Sequence, residues 1–493
     1  MNQYKLGWFG SWILLVVCGM FFSRCANIVP PGGGPRDTLA PRVLHISPPD
    51  STLGFNEKEV TFRFNEYVEL ENVLEKLIVS PTLKRTPTIT AKLRTITMVI
   101  KDSLQPNTTY TFNFGDAVKD VNERNPIEDF QYVVSTGDYL DSLTLTGTIL
   151  IAETGKPDSN VAVMLYSNIL EDSVVSKEKP LYLAKTKGNG SYRFKNLKPG
   201  KYRIFALKEE DRDFQYTQPD ELIAFREEPI DLQEAMTDIN MSLFKEPDSL
   251  RPKYEELDLP AEPEPQQEKE KKKDDKKKPK LLASAELNGG RQELGDSLVL
   301  SFNFPLRSLD SGAISLLEDT TLRPVKFSVS VADTTQKRFK LAYNWKPGKP
   351  YQLILPAGFA TDTTGLQTAK ADTVRFEAKM LDDYGTVTVQ LSISDSAKVL
   401  LPQSDTSYQF VVQLVTGGKE VKYTGVVKNG KWERGLIQPG EYEIRVIVDR
   451  NFNGQWDTGI YYRNPKKQPE TVFTFKEPIN VKKNWTVPTN VKL

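Results

Sequence analysis

The sequence predicts an all-β chain of tandem β-sandwich modules in the order A-B-linker-A′-B′. Three observations predict it. Short runs alternate apolar and polar residues: Val60-Thr61-Phe62-Arg63-Phe64, Tyr110-Thr111-Phe112-Asn113-Phe114 and Leu298-Val299-Leu300-Ser301-Phe302-Asn303-Phe304 each place alternate side chains on one face. Turn residues recur roughly every 8–12 positions, the spacing of sandwiches and barrels. Two different stretches each occur twice, once in either half of the chain. Long amphipathic helical patterns are absent, and Leu70–Leu77 predicts one short helix.

The first residues read as an export signal. Lys5 precedes an apolar run, Leu6–Phe22, interrupted by Gly7, Gly10, Ser11 and Gly19. About 17 residues with that much glycine is at the low limit for spanning a bilayer and suits a signal core better. The only two cysteines, Cys18 and Cys25, both lie here, so the rest of the chain has no thiol for a disulfide. Ser23-Arg24-Cys25-Ala26 resembles the end of a bacterial lipoprotein signal, with Arg24 where a small residue usually stands. The resemblance implies removal of residues 1–24 and lipidation of Cys25, at the head of a tether (25–40) containing Pro30-Pro31-Gly32-Gly33-Gly34-Pro35. Two or more acyl chains make a stable anchor. An uncleaved membrane anchor, and a cysteine discarded with its signal, are the other readings.

Lys+Arg and Asp+Glu are both 65, and this balance argues against a nucleic-acid partner. The single histidine, His45, excludes metal sites with two or more histidines. Without a free thiol, Cys–His catalysis is excluded too, and a Ser-His-Asp triad would have to use His45. An ordinary strand residue is the plainer reading.

The repeats set the modules: A (41–138), B (139–245), A′ (281–380) and B′ (381–493). In A, Val60–Val68 is followed by Leu104-Gln105-Pro106-Asn107-Thr108-Thr109-Tyr110. In A′, Leu298–Leu306 is followed by Trp345-Lys346-Pro347-Gly348-Lys349-Pro350-Tyr351, with the same proline-to-tyrosine spacing of four. The proline sets a turn, and the tyrosine is expected to cover the core edge with its hydroxyl in water. In B, Leu197-Lys198-Pro199-Gly200-Lys201-Tyr202 parallels Ile437-Gln438-Pro439-Gly440-Glu441-Tyr442 of B′. Pro-Gly there is expected to form a type II turn, with Gly200 and Gly440 at positive φ. Gly188-Asn189-Gly190 signals a tight turn before the strand Ser191–Phe194. Residues 246–280 separate the halves. PAEPEPQQEKEKKKDDKKKPK has no apolar residue beyond Ala261 and reads as an extended charged spacer. A lysine run on anionic lipid is its functional alternative.

Ser47-Pro48-Pro49-Asp50, the Phe62/Phe64/Glu66 strand end and the L-x-P-x-x-x-Y turn resemble the SbsA-type Ig-like domain of bacterial envelope proteins. GNGSYRFKNLKPGKYR (188–203) resembles the carboxypeptidase-regulatory or Cna B-type, prealbumin-like module. CANIVPPGGGPRD followed by an Ig-like unit is similar to lipoproteins of the Bacteroidetes. The resemblance is weaker over 281–493, where A′ lacks the acidic residue after its Phe-x-Phe strand.

One stretch approaches a metal site. Asp449, Asn451, Asn453 and Asp457 put oxygen side chains at positions 1, 3, 5 and 9 of a loop with Gly454 at position 6, a spacing that suits calcium. The bidentate glutamate of an EF-hand would fall at Ile460, so that ligand is missing. A metal-free Asx/Gly hairpin is the alternative. The matching segment of B, Glu209–Asp213, is weaker, with Phe214 in place of the glycine. Asp116, Asp120 and Asp129 carry no second sign of the paired carboxylates a glycosidase needs. Tyr461 and Tyr462 read as cover for a sandwich edge, with a sugar or a protein partner as the alternative.

These readings lead to a non-enzymatic, lipid-anchored scaffold of the cell envelope, without a cofactor unless calcium binds at 449–457. Modules with independent cores would act as spacers, and loops at module ends would carry binding. The partners expected are the membrane, through the lipid, and an envelope protein or complex. Ala26–Val29 has no acidic residue, which favours the periplasmic face of the outer membrane. The rival is a polysaccharide- or ligand-binding lipoprotein that assists a hydrolase or uptake system.

Overall fold

The computed structural model describes residues 36–171, 173–209, 213–217, 221–247, 279–318, 321–395, 401, 407–475 and 477–493. The signal, Cys18, Cys25 and residues 248–278 of the expected spacer lie outside them. The chain is all-β and forms two compact units: residues up to 143 with 196–198, and residues 144–195 with 199–493.

The first unit contains module A. One sheet orders Val43–Ser47, Glu59–Phe64, Thr95–Val99 and Thr88–Lys92. A second orders Ile78–Ser80, Thr109–Gly115 and Phe130–Ser135. The predicted alternation holds in Glu59–Phe64, where Val60, Phe62 and Phe64 are buried. Phe62 meets Phe114, Phe130 and Tyr132 edge-on, with ring centroids 5.6, 5.6 and 5.4 Å away. This geometry adds to the burial of apolar area. The predicted helix is one turn, Val73–Lys76.

Module A′, in the second unit, repeats this design. Ala283–Glu286, Leu298–Phe302, Arg338–Ala342 and Ser328–Val331 occupy the four places of the first sheet in the same order. B and B′ also match strand for strand. In B, Leu143–Ile151 lies between Ser191–Leu197 and Met241–Leu243, the last pair parallel. In B′, Gly385–Ser392 lies between Lys431–Ile437 and Thr486–Lys492, again with the last pair parallel. The long strands Gly200–Lys208 and Gly440–Asp449 then run through the centre of each larger sheet.

Two turn expectations are corrected. The Tyr110 and Tyr351 hydroxyls are not left in water, since both residues are almost fully buried. Tyr110 accepts the Gln105 N–H at 2.9 Å, and Tyr351 accepts the Lys346 N–H at 3.0 Å. Each hydroxyl thus ties down the residue just before the turn proline. Gly200 and Gly440 do not take positive φ; positive φ occurs at Asn107 and Gly348, immediately after the prolines of A and A′. Gly200 and Gly440 instead begin strands. A Cβ on Gly200 would stand 3.3 Å from the Tyr202 hydroxyl, and one on Gly440 would stand 3.7 Å from the Tyr442 ring.

B, A′ and B′ form one compact unit, within which A′ and B′ keep separate hydrophobic cores, one drawn from Leu281 to Ala378 and the other from Val387 to Leu493. A′ is fixed to B′ by a polar joint. The Tyr384 hydroxyl donates to Glu293 (2.7 Å) and accepts from the Leu294 N–H (2.8 Å). Asp383 pairs with Arg291 (2.8 Å) and Lys483 (3.0 Å). The Lys483 hydrogen bond is the main cause that holds the Asp383 carboxyl down, at about 2.

Candidate functional site

The strand Gly440–Asp449 delivers Asp449, fully buried, to the start of a loop that ends at Glu470. Asp449 accepts hydrogen bonds from the Gln409 amide (2.7 Å) and the Gly454 N–H (2.8 Å). Burial acts to raise its pKa, but those donors and the N–H groups of Phe452 and Asn451 outweigh it and hold the carboxyl below its usual range. Asp457 accepts from the side-chain amides of Asn451 and Asn453. The structure therefore brings all four predicted oxygen-bearing residues into one loop. It turns the amide nitrogens of Asn451 and Asn453, not their oxygens, toward Asp457. Among the described residues, no three His, Cys, Asp or Glu side chains group closely enough to hold a metal.

Sequence reasoning missed Glu470. Its side chain closes the loop, accepting from the N–H groups of Arg450 (2.7 Å) and Asp457 (3.1 Å). The Trp456 indole donates to its carbonyl at 3.0 Å. Burial raises the Glu470 pKa more than these donors lower it, and the charges of Asp449 and Asp457 add to the rise.

Within this loop, the paired N–H···O bonds between Ile460 and Lys467 (2.7 and 2.8 Å) hold out a short turn bearing Tyr461 and Tyr462. These tyrosines do not cover the edge of their own sandwich; they lie on module B. Tyr461 is buried, with its ring centroid 5.8 Å from Phe205 and 5.3 Å from Phe225. Tyr462 stacks on Tyr216 at 5.1 Å, and its hydroxyl donates to the Tyr216 carbonyl at 3.1 Å.

The acid that receives this turn is Glu246, which the sequence reading placed in the charged spacer. It is 2% exposed. One oxygen accepts the N–H groups of Tyr461 (2.6 Å) and Tyr462 (3.0 Å), and the other accepts the Tyr216 hydroxyl (2.9 Å). Its position after the apolar run Met241–Phe244 and before Pro247 was the available signal. A cavity of about 240 Å³ opens beside this contact, with Arg203, Arg226 and Lys466 among its lining residues. The Phe205 and Phe225 rings behind it are buried, so they present no aromatic platform to a sugar.

The other sequence candidates lie apart from this contact. His45 is exposed on the strand Val43–Ser47. Asp120 caps its own loop, accepting N–H groups of Glu123, Arg124 and Asn125, while Asp116 pairs with Lys76. Asp129 accepts the Gln131 side-chain amide at 2.7 Å. In the segment 209–213, residues 210–212 lie outside the described ones, and Asp213 caps the Gln215 N–H at 2.6 Å.

Residues 37–136 match the model of a bacterial Ig-like domain. This Ig-like match covers module A, the part of the chain whose aromatic core and tyrosine-tied turn are described above. No curated protein matches the chain. Solved structures similar to it include the Bacillus anthracis TIE protein, at 10% identity, covering 94% of this chain and 76% of that one, with a TM-score of 0.16. The major pilin subunit BcpA of Bacillus cereus is 13% identical over 72% of this chain and 99% of that one, with a TM-score of 0.16. The N-terminal part of the bacterial S-layer protein SbsC is 14% identical over 38% and 40%, with a TM-score of 0.15.

Proposed function

We propose that this chain is a non-enzymatic scaffold of the bacterial cell envelope, anchored through lipid on Cys25 and facing the periplasm from the outer membrane. The observation that carries this reading is the doubled A-B design itself. Both copies commit their strands to cores, and the acids described above cap loops or fasten modules together. The Ig-like match of residues 37–136 supports the structural part of the reading. The signal-like sequence ending at Cys25 supports the anchor. The partner would be another envelope protein or complex, engaged by module-end loops. A polysaccharide-binding role needs a groove with exposed aromatic faces, and the cavity beside Lys466 does not favour it.

Mass spectrometry of the mature N-terminal peptide from native membranes tests the anchor: a diacylated or triacylated Cys25 is expected. A mature N-terminus free of fatty acid overturns it. Crosslinking in the intact envelope, followed by affinity purification, tests the scaffold role. Recovery of the same envelope proteins from repeated preparations is expected; a chain recovered without partners refutes it.

A further inference from the structure

We infer that B and B′ form a specific non-covalent clasp, so that the two halves of the chain stay assembled without the peptide link between residues 247 and 279. The clasp has two separate patches. In the first, Glu246 and Tyr216 of B receive the turn bearing Tyr461 and Tyr462, as described above. Around it, the Thr458 hydroxyl donates to the Lys245 carbonyl (2.6 Å), and the Gln468 amide donates to the Phe225 carbonyl (3.0 Å). In the second patch, Lys156 of B pairs with Glu443 of B′ at 2.8 Å, and the Thr474 hydroxyl donates to the Thr154 carbonyl.

Shape and charge both commit this surface to one occupant, module B′ of the same chain. A Cβ on Gly459 would stand 2.6–2.8 Å from the Phe244 ring, and a Cβ on Gly155 would stand 2.7 Å from the Val472 carbonyl oxygen. Backbone therefore lies against the opposite module at two places, one contributed from each side. Glu246 and Tyr461 are buried by this contact, and a half taken alone would expose a carboxylate together with an aromatic cluster. Such a surface tolerates little sliding, because a carboxylate separated from its donors inside an interface is costly. The functional consequence concerns reach. The separation of B′ from B is set by the clasp, not by the length of the charged segment.

The test places a sequence-specific protease site between residues 260 and 268 of the full chain. After cleavage, the two fragments are expected to co-elute on gel filtration at micromolar concentration and to separate only in denaturant. Gly459→Val drives a side chain into Phe244 and is expected to weaken association of the cleaved halves at least tenfold. Because a variant can also misfold, a charge swap accompanies it. Lys156→Glu is expected to weaken association, and adding Glu443→Lys to restore it. Circular dichroism of each separated half reports that the sandwiches remain folded. Separation of the cleaved wild-type halves in native buffer overturns the clasp, as does indifference of the association to both Gly459→Val and Lys156→Glu. The inference is independent of lipidation, so its failure would leave the anchor reading untouched.

Discussion

Replacing Tyr110 with phenylalanine tests the tyrosine tie with a single-atom change. The ring stays in its pocket, so no cavity opens, and only the hydroxyl that accepts the Gln105 N–H is lost. Burial pushes the Tyr110 pKa up, so the group is a neutral hydroxyl throughout the working pH range. Losing one hydrogen bond whose remaining donor is part-buried costs about 1–2 kcal/mol. In a module of this size, about 1.5 kcal/mol lowers the melting temperature by roughly 6–12 °C. Calorimetry of the whole chain should show that fall in one transition. Tryptophan emission should not follow it, because the only described tryptophans, Trp345, Trp432, Trp456 and Trp485, all lie in the second unit. Tyr351→Phe should reverse the pattern, since the Trp345 ring lies 5.0 Å from Tyr351. Tyr67→Phe, at a ring that is 50% exposed, is the control. If Tyr110→Phe costs less than about 0.3 kcal/mol, the hydroxyl does not hold the turn and the reasoning fails.

Further outcomes follow from the same contacts. Phe62→Ala should cost about 3–5 kcal/mol by opening a cavity among Phe114, Phe130 and Tyr132, read as loss or collapse of the same calorimetric transition. Asp383, held at about 2 when folded against an ordinary value of 3.8, contributes on the order of 1 kcal/mol once solvent screening around the exposed Lys483 is allowed for, fully present above pH 3.8 and lost as pH falls toward 2. The urea-stability gap between wild type and Asp383→Asn, followed by tryptophan emission, should therefore be constant above pH 5 and shrink below pH 3.8. Calcium binding by Asp449, Asn451, Asn453 and Asp457 requires both amides to turn their carbonyl oxygens inward. It predicts a rise in melting temperature in millimolar calcium that Asp457→Asn abolishes; identical melting with calcium and with chelator refutes it.

The doubled architecture was legible because it lives in local patterns. Alternation fixes which side chains of Glu59–Phe64 and Leu298–Phe302 enter a core, and the shared proline-to-tyrosine spacing marks the same turn in A and A′. The Pro-Gly turns of B and B′ were misread for a physical reason. Pro-Gly favours a positive-φ glycine in isolation, but Gly200 and Gly440 are drawn into strands paired with Leu232 and Val481. The loop 449–457 was legible as an Asx/Gly turn, whereas Glu470 was not, because it acts from 20 residues beyond Arg450. Tyr461 reaches Glu246 across 215 residues, and no local pattern states which module an exposed-looking tyrosine will cover.

The placement of the buried acids explains how a chain with no cysteine beyond Cys25 fixes several modules in one geometry. Apolar contact alone joins sandwiches without choosing a unique register, because dispersion and area burial are nearly non-directional. A carboxylate that accepts several N–H groups is directional, and each donor it loses leaves part of its desolvation cost uncompensated. Asp120 orders a loop in A, Asp383 fixes A′ to B′, and Glu246 fixes B to B′. Asp120 ends the strand Val118–Asp120 at its turn, and Asp383 and Glu246 lie outside strands, at the joints. Apolar burial makes the modules stable, and a few enclosed carboxylates decide how they meet. Neutralising Glu246 should therefore loosen the clasp while each sandwich keeps its own strands.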